Sequence, residues 1–435
     1  MTDAGGRAAV AAVWRIESAR IVGALARYTG DFALAEDLAQ EALAEALVTW
    51  PRDGVPRNPA GWLLTVGRRR AVDAFRRRAL RDDRYAALAR ELGEGGAATG
   101  GPAPEVRGTE QLWDPDQLDD DVLALMFVSC HPILSREARV ALTLRVVGGL
   151  SSDEIAKAFL IPTATVQARI TRAKKTLAAA RIPFAVPPAD ERAARLGSVL
   201  NVVYVIFTEG SSATSGTDLI RLDLAAEAQR LARVLARLVP TEPEVHGLLA
   251  LFELTAARFP GRTAADGRPV PLDQQNRIRW DRAAIRRGRA ALDHAAAIGR
   301  GLGAYGLQAA IAECHAVATS VDSTDWDRIV LLYEALGRLA PSPVVELNRA
   351  VAVCMAHGPA AALAIVDKLE ASAALADSRL LPTVRGELLA KLGRRAEARA
   401  EFERAIALCG NDSERALLED KLAEVNRLSP RAPGR

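Results

Sequence analysis

At 435 residues the chain is long enough for two to three domains, each able to bury its own core. A net charge of +3 and a 49% apolar composition mark no extreme class, and the longest apolar run, Val199 to Phe207, is far too short to span a bilayer. The four cysteines, Cys130, Cys314, Cys354 and Cys409, form no CxxC pair and no metal-ligand spacing, which leaves buried thiols in a soluble, cytoplasmic chain as the expectation.

Ala, Leu and Arg dominate, and strand formers never alternate for long, so the expected fold class is all-α. Residues 8–28 read as an amphipathic helix with Val13, Ile16, Ile21, Leu25 and Tyr28 on one face. Gly30 breaks the pattern and Asp31 is placed to cap a second helix. That helix has an apolar stripe of Phe32, Leu34, Leu38, Ala42 and Leu47, with Glu36, Asp37, Gln40 and Glu41 on another face; Pro51 is expected to end it. A polar loop leads to Asn58 and an Arg-rich helix reaching Arg81. Its apolar positions are Trp62, Leu63, Val66, Val72 and Phe75, and between them lie Arg68, Arg69, Arg70, Arg76, Arg77 and Arg78. Such a helix suits a nucleic-acid backbone; a solvated charged face is the other reading. Trp62 reads as core before it reads as a base-stacking platform.

Residues 82–119 carry many glycines and prolines and little apolar content, and are expected to be a flexible linker ending in the acids Asp114, Asp116, Asp119, Asp120 and Asp121. From 120 to 181 a helix ends at Cys130-His131-Pro132, where a turn is a better reading than a metal or nucleophile pair. After the glycine stop at Gly148 and Gly149, Ser152 is expected to cap one short helix and Thr163 the next, a helix-turn-helix arrangement. The last helix carries Arg169, Arg172, Lys174, Lys175 and Arg181 and no acid, while Val166, Ile170, Ala173 and Leu177 follow core spacing. A recognition helix reads base edges with its N-terminal residues and holds phosphates with later ones.

Beyond the prolines at 183, 187 and 188 the chain continues as further helices: a helical segment over 190–300, then 301–425, with a disordered tail over 426–435. The polar stretch from Pro260 to Trp280 lacks phosphate-loop spacing and is expected to be a long surface loop. Gly358 and its neighbours align with Gly393 at an offset of about 35 positions, near the ~34-residue tetratricopeptide period, and Leu392, Ala398, Phe402 and Ala405 fit that pattern. Glu313, His315, Asp325, Trp326, Glu346, Asn348 and Arg349 invite a site reading, but His315 and Asn348 are expected to satisfy helix-packing hydrogen bonds. No Ser-His-Asp or metal pattern is present, so no catalytic residue, metal or cofactor is expected.

AEDLAQEAL followed by NPAGWLLTVGRRRAVDAFRRR resembles region 2 of extracytoplasmic-function sigma factors, and TVQARITRAKKTL resembles their region 4. The resemblance implies a non-enzymatic subunit that binds core RNA polymerase through Asp31, Glu36, Asp37, Gln40 and Glu41. It implies contact with the promoter −10 element by Asn58, Trp62, Arg69, Arg70, Arg76 and Arg77 in region 2 (8–81). Contact with the −35 element falls to Thr163, Thr165, Gln167, Arg169, Arg172, Lys174 and Lys175 in region 4 (120–181). GAYGLQAAIAECHA, STDWDRIVLLYEAL and PVVELNRAVAV resemble a subgroup with a fused helical, repeat-bearing extension. There the extension is expected to regulate in cis, alongside a regulatory protein such as one of DGPF type. The alternatives are a stand-alone helix-turn-helix regulator with a sensing repeat domain, and a repeat scaffold with incidental charge.

Overall fold

The computed structural model of the protein describes residues 3–91, 115–211, 220–264 and 269–427. Among them the chain is a succession of helices with no strand; one isolated bridge pairs Thr263 with Pro269. This follows from composition, since Ala, Leu and Arg are strong helix formers and β-branched residues are scattered. The chain divides into two compact units, Met1–Val203 and Tyr204–Arg435.

The first unit contains α1 (Asp3–Thr29), α2 (Phe32–Asp53), α3 (Pro59–Glu91), α4 (Pro115–Ser129), α5 (Arg136–Val146), α6 (Ser152–Phe159), α7 (Thr163–Ala179) and the first part of α8 (Ala189–Ser211). The helices α1, α2 and α3 pack on one another and bury Ile21, Leu25, Leu38, Leu63 and Trp50. Asp31 caps α2 as expected, accepting from the amides of Ala33 and Leu34 at 2.9 and 3.1 Å. Pro51 does not end α2. The helix carries it in its last turn, where one missing donor is tolerated, and stops at Gly54, whose φ of +91° is open to glycine. Leu47 is exposed rather than part of the apolar stripe, which instead runs through Ala35, Ala39, Ala42, Ala46 and Trp50.

The helices α5, α6 and α7 pack together, and Val166, Ile170, Ala173 and Leu177 are all buried. Two caps differ from expectation. Ser151, not Ser152, caps α6 through a reciprocal capping box with Glu154, because Glu154 lies three residues after Ser151. Thr163 is the first residue of α7 after Pro162, and its hydroxyl donates to Asp153 instead. The linker expectation over 82–119 is trimmed at both ends by α3 and α4, and its middle lies outside the described residues. Asp121, read as part of a solvated run, is buried against α1 and accepts from Arg27 Nε at 3.0 Å.

The second unit continues with α9 (Leu222–Leu238), α10 (Pro243–Ala256), the single turn α11 (Phe259–Arg262), α12 (Arg282–Ala297) and α13 (Ala304–Val317). The apolar α10 is packed by α9, α12 and α13, and Phe252 stacks on Phe207 with ring centroids 4.0 Å apart. Then come α14 (Trp326–Leu339), α15 (Pro343–His357), α16 (Pro359–Ala371), α17 (Leu380–Lys391), α18 (Arg395–Ala407) and α19 (Asp412–Arg427). Consecutive helices pack on one another, and α15 also packs on α17, so helix pair stacks on helix pair. Gly358 and Gly393 both take positive φ, +92° and +76°, at the turn of their hairpins, which is the structural counterpart of the repeat offset. Ala398, Phe402 and Ala405 are buried in the same core.

The stretch after Pro260 is more than a surface loop. It makes two 3-10 turns, Leu272–Gln274 and Arg277–Arg279, and buried Arg277 donates to the carbonyls of His315 and Ala318 at 2.6 and 2.8 Å. Cys130, Cys314 and Cys409 are buried and Cys354 is half-buried, all with free thiols. No helix of the described residues is long and apolar enough to cross a membrane. Most of the stretch expected to be a disordered tail, from 428 on, lies outside the described residues.

Candidate nucleic-acid interface

The acidic face of α2 is divided between two neighbours. Glu36 is buried and accepts from Lys174 Nζ of α7 at 2.7 Å, with Arg145 Nε of α5 at 3.4 Å. Asp37, exposed beside it, takes the same ammonium at 2.5 Å. Burial opposes the charge on Lys174, but Glu36 and Asp37 outweigh it and its pKa is raised. Further along α2, Glu41 pairs with Arg70 at 2.8 Å, and Gln40 is half-buried. Asp31 serves as the helix cap already described.

The Arg-rich face of α3 separates in the same way. Arg69 and Arg70 reach Glu45 at 2.8 and 2.7 Å, and the Arg70 hydrogen bond holds the Glu45 carboxyl below its ordinary range against the effect of burial. Glu45 is missing from the sequence reading, although its place one turn after Glu41 marks it as the same face. Asn58 caps the start of α3 by accepting from the amide of Gly61 at 2.9 Å. Trp62 is half-buried and packs edge-on against Trp50, centroids 5.6 Å apart. Arg76 and Arg77 are exposed and have no carboxylate partner among the described residues.

On α7 the expected −35 residues fall on three sides. Gln167, Arg172 and Lys175 are exposed, and Arg172 reaches only the carbonyl of Ala168. Thr165 and Arg169 are half-buried, and Thr163 is bonded to Asp153. Lys174 faces α2. The two halves of the unit are further joined by Arg15 to Glu154 at 2.5 Å and by Arg27 to Asp121.

No group of three or more His, Cys, Asp or Glu side chains among the described residues could hold a metal. His131 makes the expected turn, its Nδ1 accepting from the amide of Ile133. In the second unit, Glu313 pairs with Arg289, Glu346 with Arg349, and Asp325 caps α14. Trp326 donates to the carbonyl of Val321 and packs edge-on against His315. His315 and Asn348 depart from expectation: buried His315 Nδ1 has no partner, and exposed Asn348 makes no hydrogen bond among the described residues.

Sigma-70 region 2 matches residues 15–81, and Sigma-70 region 4 matches residues 124–177. A Mycobacterium tuberculosis protein (strain H37Rv) named probable ECF RNA polymerase sigma factor SigI is 28% identical over 183 residues, covering 42% of this chain and 59% of that protein. The chain carries regions 2 and 4 of the sigma-70 family and is similar to an extracytoplasmic-function sigma factor. Beyond these regions a family of unknown function, DUF6596, matches residues 195–296. An uncharacterized protein of Rhizobium meliloti (strain 1021) is 44% identical over 413 residues, 92% of each chain, so the helical extension is common to both. Yeast Tom70 aligns over 91% of this chain and 80% of its own at 12% identity, with a TM-score of 0.36, too low to assign a shared fold.

Proposed function

We propose that this chain is a sigma factor that joins core RNA polymerase and directs promoter-specific initiation, with its helical extension controlling it in cis. Residues 8–81 serve as the polymerase and −10 module, 120–181 as the −35 module, and 190–425 as the regulatory part. Catalysis belongs to the polymerase. The observation that carries the DNA reading is the pair of outward basic sets, Arg76 with Arg77 and Arg172 with Lys175, on two helices of one unit and without carboxylate partners among the described residues. Cations so placed neutralise phosphates without first breaking an ion pair. Control by the extension is supported by its length and by its presence across the Rhizobium meliloti relative. Its stacked helix pairs offer a groove of about 990 Å³, lined by Val351, Met355, Val384, Leu388 and Lys391 among others, of a size to receive a short segment of a regulatory protein, such as one of DGPF type.

The Glu36–Lys174 contact gives this reading a second part. With Glu36 and Asp37 on α7, the described arrangement is a closed form, and engaging polymerase or DNA through these residues requires the seam to open. Core binding by the full chain tests both parts. Asp37→Lys with Glu41→Lys is expected to weaken core binding at least tenfold while the helical content is kept. Lys174→Met, which opens the seam and leaves the acids in place, is expected to strengthen it. Unchanged core affinity in the first variant would refute polymerase docking by α2, and tight duplex binding without polymerase would favour the stand-alone regulator. Control in cis is read from transcription by the full chain against a chain ending at Val203. That boundary keeps the part of α8 that packs on the first unit through Arg195 and Ser198. Equal transcription by the two would remove the regulatory role.

A further inference from the structure

The second unit contains a cavity of about 640 Å³ whose wall includes Arg258, Arg262, Asn348 and Glu414. Its electrostatics are out of balance. The Arg258 guanidinium lies over the Trp280 ring, 5.4 Å from the centroid, and its enclosed Nε has no hydrogen-bond partner among the described residues. The charges that act on it are Arg262 and Arg277, both of its own sign, and no carboxylate pairs with it among the described residues. Burial and these two neighbours push its pKa down to about 10. Arg277 is held by the carbonyls of His315 and Ala318, and it also lies over the Trp280 ring, 4.7 Å from the centroid. Arg262 gives one nitrogen to the carbonyl of Ser211 at 2.7 Å. Glu414 is paired with Arg379, and its charge also acts on Arg262 but not on Arg258. His315 cannot add charge near neutrality, since burial and then the two arginines push its pKa down to about 4.

Arginine buried for structure is normally bonded to carbonyls or carboxylates, as Arg262 and Arg277 are. Arg258 has neither among the described residues, while it borders open volume. A guanidinium with an unused fork beside a second one is suited to a planar carboxylate or to a phosphate. Pro271, Leu272 and Leu417 supply an apolar wall for the remainder of such a molecule. We propose that this cavity binds a small organic oxyanion, its carboxylate or phosphate held by Arg258 and Arg262 and its apolar body set against Pro271, Leu272 and Leu417. The assignment stands apart from the promoter reading, because it uses no residue of the first unit.

Calorimetric titration of the full chain at constant ionic strength tests it, with benzoate, phenyl phosphate and inorganic phosphate as probes. Saturable binding of benzoate or phenyl phosphate is expected, tighter than that of inorganic phosphate, and the stronger of the two identifies the head group. Saturation should raise the melting midpoint by roughly 5 °C or more. Arg258→Met is expected to weaken binding more than tenfold and, without anion, to melt no lower than the wild type. Arg262→Met should weaken it less, since one guanidinium remains. Absence of saturable binding of all three probes, or unchanged affinity in Arg258→Met, would overturn the proposal. So would an Arg258→Met chain that fails to fold, because Arg258 would then be structural; unchanged affinity in Arg262→Met would overturn the role of that residue.

Discussion

Two partly buried cations in this molecule are held on opposite terms. Lys174, on α7, meets two carboxylates of α2, and its charge is stabilised despite burial. Arg258, beside α11, meets only like charges and an aromatic face among the described residues, and its charge is destabilised. A cation with its counter-charge supplied by the chain makes a contact within the fold, one that has to break before either partner can do anything else. A cation whose counter-charge the chain does not supply leaves room for one from outside.

The largest expected effect comes from making the first region resemble the second. Glu36→Ala leaves Lys174 and Arg145 without their buried acid, with only exposed Asp37 remaining. Removing one partner of a buried ion pair costs about 3 to 5 kcal/mol, to be read from urea unfolding of the full chain. Added formate should recover part of the loss by standing in for the missing carboxylate. A cost near zero would mean that the seam does not contribute to the folded state, and the closed form would lose its support.

The converse change is expected to be smaller and of opposite sign. Arg258→Met removes a charge that the fold leaves uncompensated, and the thioether chain can keep packing against Trp280. The anion-free protein should gain about 1 kcal/mol. The linkage has the same sign: a base whose folded pKa lies below its unfolded value loses stability as pH falls through the folded value, here about 10, so near neutrality the charged Arg258 is a burden on the fold. A clear loss of stability in this variant would place Arg258 with Arg262 and Arg277 as a structural donor.

Much of this was readable from spacing. The core stripe of α7, the Asp31 cap and the buried set Ala398, Phe402 and Ala405 all follow from helical periodicity and cap chemistry. Lys174 shows where that reading stops short. Charge alone groups it with Arg172 and Lys175, yet it lies four residues after buried Ile170 and three before buried Leu177, so it flanks the core stripe while its neighbours point outward. The pattern could have separated them, but not named Glu36 as the partner, since that pair spans 138 positions and depends on how α2 and α7 pack. Arg258 was less legible still. Its only signal is Arg258 with Arg262 at helical spacing beside a proline-rich loop, and what distinguishes it is the absence of a carboxylate in three dimensions. Pro51 and Ser152 misled for a local reason: each is a good boundary residue with a better one nearby, Gly54 and Ser151.

The smallest expected effect separates the two acids that share Lys174. The Glu36 side chain is 5% exposed and that of Asp37 64%, although both lie within hydrogen-bond distance of the same ammonium. Solvent screens the outer pair, so Asp37→Asn should cost less than about 1 kcal/mol, and added salt should shrink that cost further while the Glu36→Ala cost persists. Urea unfolding of both variants at low and high salt measures the difference. If the costs were equal and equally salt-sensitive, burial would not be what divides the acidic face. If they separate as expected, Asp37 can leave α7 for the polymerase docking proposed above at little cost to the fold, while Glu36 keeps the seam shut until the two helices part.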